Sequence, residues 1–594
     1  MATSATTHRL LRAHFLHRFL DNDLISPNAD RHDAIVLIAT SLAVPGLVVT
    51  VLLIGSKYLF GIPTPALTSI AALDDKFLYI SVSMLVMALI GAVQWDALDL
   101  DARDEAILGP LPLTHVEIAR AKLAALVIFV SAFAVALNAV PSIVFPLLLV
   151  AHFHVNIIAV VRLILTHATV TTLAGAWAFL SVVFIRELLR LVLSASWFRR
   201  VSAVVQGVLV LTLGSTLLLT PWLATGVPMK WMGGSSAARA VPPVWFVGLY
   251  ESSTKGITLT IRGLGLRIPK GLIPAEANAH VLYDRLLPRF GAFAQMALLV
   301  TLVTPLATLA LYAWNNKRLP APTVGRWRRR STGRSIAAVL IALFVARRPL
   351  ERAGFFFTLQ TLARSVSHRM SIAAAGAVAF AVSVMFMHGI RAINGVAYAE
   401  TRVLALQTIA ISIVLVGVRK AVGTPAELRA NWIFPMAWNG EVGPYVAGVK
   451  RAVIIAIIVP MLLALLAFDW YEIGARVAFA HAPVAFIVSV LVLDMLLWQP
   501  EMLPLTCSSR PPGNLKAFGP IYLMALFVAA YTLARVERAA IADAARYAVL
   551  LAASATTYIG FRLWDARYHG RGTRIVFDDS PETPTQRLGL GEPV

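Results

Sequence analysis

Apolar residues in this 594-residue chain come in runs of about twenty, separated by short charged or proline-broken stretches. Coiled as helices rising ~1.5 Å per residue, runs of that length match the ~30 Å hydrocarbon core of a bilayer. Twelve are expected to span, roughly 34–55, 75–95, 123–150, 156–185, 201–225 and 291–314, then 370–390, 401–419, 451–468, 483–499, 517–534 and 543–564. Backbone groups in hydrocarbon find partners only within a helix or a closed barrel, and the alternating pattern of a barrel strand is absent. The expected fold is therefore all-α, a polytopic integral membrane protein with about twelve transmembrane helices. Ile336–Ala346 is apolar but too short to span, and is expected to lie at an interface or against other helices.

The runs fall into two sets of six. A basic, aromatic lead-in precedes each set, HRLLRAHFLHRFL at 8–20 and LERAGFFFTLQTLARSVSHRM at 350–370. Each lead-in is followed by two spans, a conspicuous loop and four more spans. Lys122 and Lys450 stand at matching places before the third span of each set. The expected organisation is an amphipathic lead-in (1–33), a first six-helix unit (34–314) with an external segment at 226–290, and a basic linker with an amphipathic helix (315–369). A second six-helix unit (370–565) and a polar tail (566–594) complete it.

Composition agrees with this pattern. With 58% hydrophobic and 14% charged residues, the chain lacks the polar surface an ordinary water-soluble protein of its length would need. The net charge of +21 does not imply a nucleic-acid partner, because its densest cluster, RWRRRSTGR at 326–334, lies between apolar runs where cytoplasmic loops collect basic residues. Residues 315–369 hold twelve Lys and Arg and one acid, Glu351. Placing them in the cytoplasm puts both termini, 96–122 and 420–450 there too. Residues 1–33 are mixed in charge, and the run after them is long enough to stay in the bilayer as a signal anchor. Cys507 is the only cysteine, which rules out an intrachain disulfide and a thiolate metal cluster.

One loop is unlike the rest. In LDARDEAILGPLPLTHVEIARAKLAAL (100–126), Pro110 and Pro112 end any helix arriving from the second span. Thr114 and Glu117 then have the spacing of a capping box, and Leu113 and Ile118 that of a hydrophobic staple. The sequence specifies a firm knuckle that restarts as a helix and enters the third span through Arg120 and Lys122.

RDEAILGPLPLTHVEIARAKL resembles the cytoplasmic loop of ABC transporter permeases of the type-2 exporter family, and the chain resembles two such six-helix units fused in tandem. Asp104 and Glu105, Leu111 and Pro112, Thr114 with Glu117, and Lys122 match the family pattern in order. The resemblance implies that this loop is a coupling helix seated in a separate ATP-binding cassette subunit, present in two copies. It also implies a bacterial plasma (inner) membrane location and a transport role rather than an enzymatic one. Whether the fused halves suffice or the chain forms a homodimer is left open. The second loop, TPAELRANWIFPMAWNGEVGPYVAGVKRAV, carries its own capping signal in Thr424, Pro425 and Glu427, and Phe434-Pro435 echoes Leu111-Pro112. Pro435 and Lys450 are fifteen positions apart, against ten for Pro112 and Lys122, so this element is expected to be longer or differently shaped.

No engine is found in the chain itself. GPYVAGVKRA at 443–452 fails as a phosphate loop because Val449 separates glycine from lysine and Arg451 replaces the hydroxyl residue. GLGLRIPKG at 263–271 lacks a βαβ setting, and His152 with His154 lacks further ligands nearby, so no cofactor and no metal is expected. Within the fourth span, Thr166, His167 and Thr169 fit either the lining of a translocation path or helix–helix hydrogen bonding. PPVWFVGLYE at 242–251 is amphiphilic enough to rest at the outer interface, with or without a gating role. Asp494, near the cytoplasmic end of its span, is within expected reach of water or Arg510. Two rival functions remain. A membrane enzyme for lipid-linked sugars would use external carboxylates such as Glu251, Glu276 or Asp284, and an ion-gradient transporter would need ionisable groups inside the spans.

Overall fold

The computed structural model describes residues 2–20, 50, 57–58, 65–98, 108, 110–111, 113–151, 155–223, 240–263, 273–317, 346–388, 396–426, 433–437, 441–498, 503–506 and 514–569. Among the described residues the regular elements are helices, with no strand, and nine helical stretches are long and apolar enough to cross a bilayer. The chain is an all-α polytopic membrane protein. It divides into two compact units, Met1–Arg326 and Trp327–Val594, at a point inside the 315–369 stretch expected to join the halves.

Unit 1 comprises α1 (Ala2–Leu20), α2 (Pro65–Val93), α3 (His115–Leu149), α4 (Ile157–Val192), α5 (Ala195–Leu223), α6 (Pro242–Gly263) and α7 (Ile273–Lys317). The expected first span, 34–55, lies outside the described residues apart from Thr50. The 45 residues of α7 would reach about 68 Å, more than twice the hydrocarbon thickness. Unit 2 comprises α8 (Pro349–Arg364), α9 (Val366–His388), α10 (Val396–Val422), the short α11 (Ile433–Ala437), α12 (Val442–Val453), α13 (Val459–Ile473), α14 (Ala475–Leu496), α15 (Asn514–Ile541) and α16 (Ala544–His569). One π-helical turn, Ile454–Ile458, joins α12 to α13. Its cause is Pro460, which has no amide for the Ala456 carbonyl and whose ring crowds that oxygen.

The two units repeat one packing plan. In unit 1, α2 packs on α3, α4 and α5, α3 packs on α4, and α4 on α7. In unit 2, α10 packs on α13, α14 and α15, α13 packs on α14, and α14 on α16. In both units the helix at the second expected position packs on those at the third, fourth and fifth, the third on the fourth, and the fourth on the sixth. The lead-in helices obey the same rule, α1 lying on α3 and α8 on α12. Leu11, Phe15 and Phe19 bury against Ile118, Ala121, Ala125 and Phe129 at the start of α3.

In unit 2 the lead-in crosses the third span closely enough that two glycines are required. A β-carbon on Gly448 would run into the Glu351 carbonyl oxygen, and one on Gly354 into the Tyr445 carbonyl oxygen. Backbone cannot retreat as a flexible side chain can, so overpacking here costs about 1–3 kcal/mol. Gly448→Ala should therefore lower the detergent melting temperature. Gly443→Ala on the same helix, where a new methyl meets nothing within 4 Å, should leave it unchanged or raise it slightly.

Candidate functional site

The knuckle forms as its residues dictate. The Thr114 amide donates to Glu117 Oε2 at 2.9 Å, the Glu117 amide donates to Thr114 Oγ1 at 3.3 Å, and the Thr114 hydroxyl donates to Glu117 Oε2 at 2.8 Å. Leu113 and Ile118 join one apolar cluster, as a staple requires. Leu111, Thr114, Val116 and Arg120 are exposed. The opposite face of the helix is buried under α1, and Lys122 is buried with its ammonium 5.7 Å from the Phe15 ring centre. Of the residues matched to the family loop, Leu111, Thr114 and Glu117 come together at the surface, while Lys122 points into the protein. Asp104, Glu105 and Pro112 lie outside the described residues.

The second loop is built differently. Thr424 spends its hydroxyl on the Lys420 carbonyl (3.0 Å), closing the end of α10 instead of opening a new helix. His368 Nε2 lies 3.1 Å from the Thr424 carbonyl oxygen, and the Ala426 amide donates to the carbonyl of Leu505, a buried residue held at φ 66°. The helix that does form is α11, where Ile433, Pro435 and Met436 are exposed and Phe434 packs on Phe357. Glu427 lies outside the described residues. Lys450, like Lys122, is buried. Its ammonium sits 2.9 Å from Asp494 Oδ1 and 3.8 Å from Asp565 Oδ2, and Arg562 approaches Asp494 at 3.7 Å. The described partners of Asp494 are therefore Lys450 and Arg562; Arg510 lies outside the described residues.

Next to Lys450, Arg451 donates to Glu351 Oε2 at 2.7 Å, and the amides of Arg347 and Arg348 donate to the same oxygen. Burial opposes ionisation of Glu351, but the Arg348 amide and the Arg451 guanidinium outweigh it and hold the carboxyl below the ordinary glutamate range.

Sequence reading missed a buried charge cluster at the end of unit 1 away from the knuckle. Lys76 stands eleven residues into α2, directly after Asp74 and Asp75. It is ion-paired with Glu251 on α6, which also accepts from the Tyr283 hydroxyl of α7. The pair is almost fully buried, and the Lys76 ammonium lies 4.6 Å from the Tyr250 ring centre. One residue earlier, Asp75 takes Lys57 at 2.9 Å and the Tyr58 hydroxyl. His167 of α4 is fully buried among Tyr79, Phe145 and Tyr250, with ring centres 5.2, 5.2 and 5.7 Å away. Thr166 is buried beside it, but Thr169 is exposed on another face and bonds its own helix at Leu165. The three candidate path residues do not share one lining.

The structure packs PPVWFVGLYE among other helices. Trp245 meets Trp177, which lies midway along α4, and Ser253 takes the Arg162 guanidinium at 2.6 Å near the start of α4. Helix α6 thus begins deep in the bundle and climbs toward the start of α4, antiparallel to α7. Glu251 is buried with Lys76 as its partner, and Val244, Phe246, Val247 and Tyr250 bury apolar surface beside it. Asp284, by contrast, is exposed, and nothing is described of the Glu276 side chain.

Among the described residues no three His, Cys, Asp or Glu side chains gather as a metal site; His152 and His154 lie outside them. Comparison with protein families, with curated proteins and with solved structures returns no match.

Removing one partner of a buried ion pair strands the other charge at a cost of about 3–5 kcal/mol, whereas removing both is far cheaper. Lys76→Met and Glu251→Gln should each lower thermal stability in detergent strongly, and the double variant should recover part of the loss. Glu351 offers a pH test. Its depressed carboxyl contributes stability that is present above the unfolded-state value and lost as pH falls through the lower folded-state value. Glu351→Gln should flatten the acid limb of the melting-temperature profile and leave its alkaline side alone.

Proposed function

We propose that the chain is the membrane permease of an ATP-driven, ABC-type exporter, moved by a separate ATP-binding subunit that grips the knuckle at Leu111–Arg120. The observation that carries this reading is mechanical. A doubly capped, surface-exposed helix start is continuous with the 35-residue α3, and α1 clasps its other face. Force applied to Leu111, Thr114, Val116 and Glu117 would displace α3 as a rod instead of dissipating in a loop. In unit 2 the exposed Ile433, Pro435 and Met436 offer a second, smaller handle, and the buried Lys450 would pass its movement to α14 and α16 through Asp494 and Asp565. The sequence resemblance, the absence of a phosphate loop and the internal duplication of the packing plan support the same reading. A bacterial inner membrane with both termini in the cytoplasm is part of it.

An ion-gradient transporter is the second reading, favoured by the ionisable groups buried within the spans, Lys76 with Glu251 above all. A lipid-linked-sugar enzyme has less in its favour, because Glu251 is engaged by Lys76 and Tyr283 while Asp284 is exposed.

Purification from the native host in mild detergent should bring down a subunit with a phosphate-binding loop, and transport should stop when that subunit cannot hydrolyse ATP. Thr114→Ala with Glu117→Arg should weaken capture of the subunit on the order of tenfold or more. The cap itself is worth only about 0.5–2 kcal/mol, so membrane insertion should survive. Repeated absence of any such subunit, with transport following a pH or sodium gradient, would establish the second reading instead.

A further inference from the structure

Unit 2 has a group of buried ionisable side chains at the end of the bundle away from α11. Asp469 and Glu537 each stand four residues before the ends of α13 and α15, and His481 six residues after the start of α14. All three are therefore about 6–9 Å inside their helices. Each is 1–2% exposed. His481 Nδ1 lies 2.8 Å from Glu537 Oε1, and Asp469 is close enough to feel the charge of both.

Two atoms of this group have no hydrogen-bond partner, Asp469 Oδ2 and His481 Nε2. Among the described residues, no fixed cation balances the acids. From α15, Arg538 turns to Glu400 at the start of α10, at 3.0 Å, and Arg535 is exposed. From α10, Arg402 lies against the Phe386 ring at 5.3 Å. Glu472 of α13 and Arg476 of α14 are exposed. From α16, Tyr547 donates to the Ala480 carbonyl, and Arg546 lies 3.5 Å from Asp543 at the surface.

The charge count decides what the site must hold. With both carboxylates ionised and His481 neutral, two negative charges would sit side by side in a low dielectric, where carboxylates sharing a site cannot both stay charged cheaply. A proton on the His481–Glu537 pair removes one charge. The carboxylate of Asp469 is still left buried, with one oxygen unpartnered. A second proton, taken by Asp469, brings the group to neutrality.

We propose that Asp469, beside the buried His481–Glu537 pair, forms a proton-binding site that loads and releases a proton at its carboxylate. The binding step is simple uptake: the Asp469 carboxylate and a solvent proton give the neutral acid, with no other bond made or broken. One helical turn separates the site from the helix ends around Gly474 and the α15–α16 turn, so exchange with water needs only a local opening. Release leaves an uncompensated carboxylate buried on α13 beside the His481–Glu537 pair, which loosens that end of the bundle. The inference does not depend on the exporter reading, because it concerns what the buried charges require whichever energy source moves the protein.

The test is infrared difference spectroscopy of the full chain in nanodiscs, stepped from mildly acidic to mildly alkaline pH in choline and in sodium buffers. The expected result is loss of a protonated-carboxyl C=O band on the alkaline side, identical in both buffers. It should move in frequency in wild-type protein carrying isotope-labelled aspartate and be absent in Asp469→Asn. His481→Gln should displace its midpoint by about one pH unit or more, as loss of a neighbouring charge does. Glu472→Gln should not change it. Melting gives a second readout: wild-type stability should fall as pH rises, up to about tenfold in the folding equilibrium per pH unit for one retained proton. Asp469→Asn should remove that slope. A band unmoved by labelled aspartate, one that survives in Asp469→Asn, or one that needs sodium would overturn the proposal.

Discussion

The cost of an unpaired charge in a low-dielectric interior governs this protein more than any single contact. The chain's hydrophobicity sends its helices into the bilayer, and once there every ionisable group must find a partner, a route to water or a proton. Lys76 shows the force of the constraint. It is buried on α2 directly after Asp74 and Asp75, and α6 supplies Glu251 as its partner. The Tyr283 hydroxyl then fixes α7 against the same carboxylate. Three helices are tied by one pair of charges, and α6 starts deep in the bundle beside Trp177.

The same constraint explains which lysines can serve as a surface handle. Lys122 and Lys450 stand at equivalent places in sequence, and both are buried. Lys450 is answered by Asp494 and Asp565 from α14 and α16, so it links the start of the third span to two others. Lys122 lies over Phe15 of the lead-in helix. Neither ammonium is displayed to a partner, although both fix helices that a partner would have to move. What the knuckle offers at the surface is the short-range architecture of Leu111, Thr114, Val116 and Glu117, held rigid by its own capping bonds.

Local features were legible in the sequence to the extent that their causes are local. The capping box and staple at 113–118 need only residues three to five apart, and they form as spaced. The helical runs were legible for the same reason, because apolar length alone forces them. The second loop was misleading because Thr424 has two possible uses for its hydroxyl. The nearer one, the Lys420 carbonyl at the end of α10, won. The packing of the stretch at 242–251 was illegible for a different reason. Its charged partner Lys76 lies 175 residues away, and no periodicity reports a partner at that distance. The pairings Lys450–Asp494 and His481–Glu537 were invisible on the same grounds.

The packing plan common to the two units sets off what differs between them. The order of packing around the second span is the same in both, down to a lead-in helix laid over the start of the third span. The solutions to buried charge differ. Unit 1 closes Lys76 with a carboxylate and a hydroxyl. Unit 2 gathers two acids and a histidine with, among the described residues, no guanidinium or ammonium turned toward them. A closed ion pair and a group with unpartnered acid and imidazole atoms make different electrostatic demands on the same movement of helices. If the units descend from one six-helix ancestor, the packing plan is the part that folding required both to keep. The buried charges are the part each was free to change.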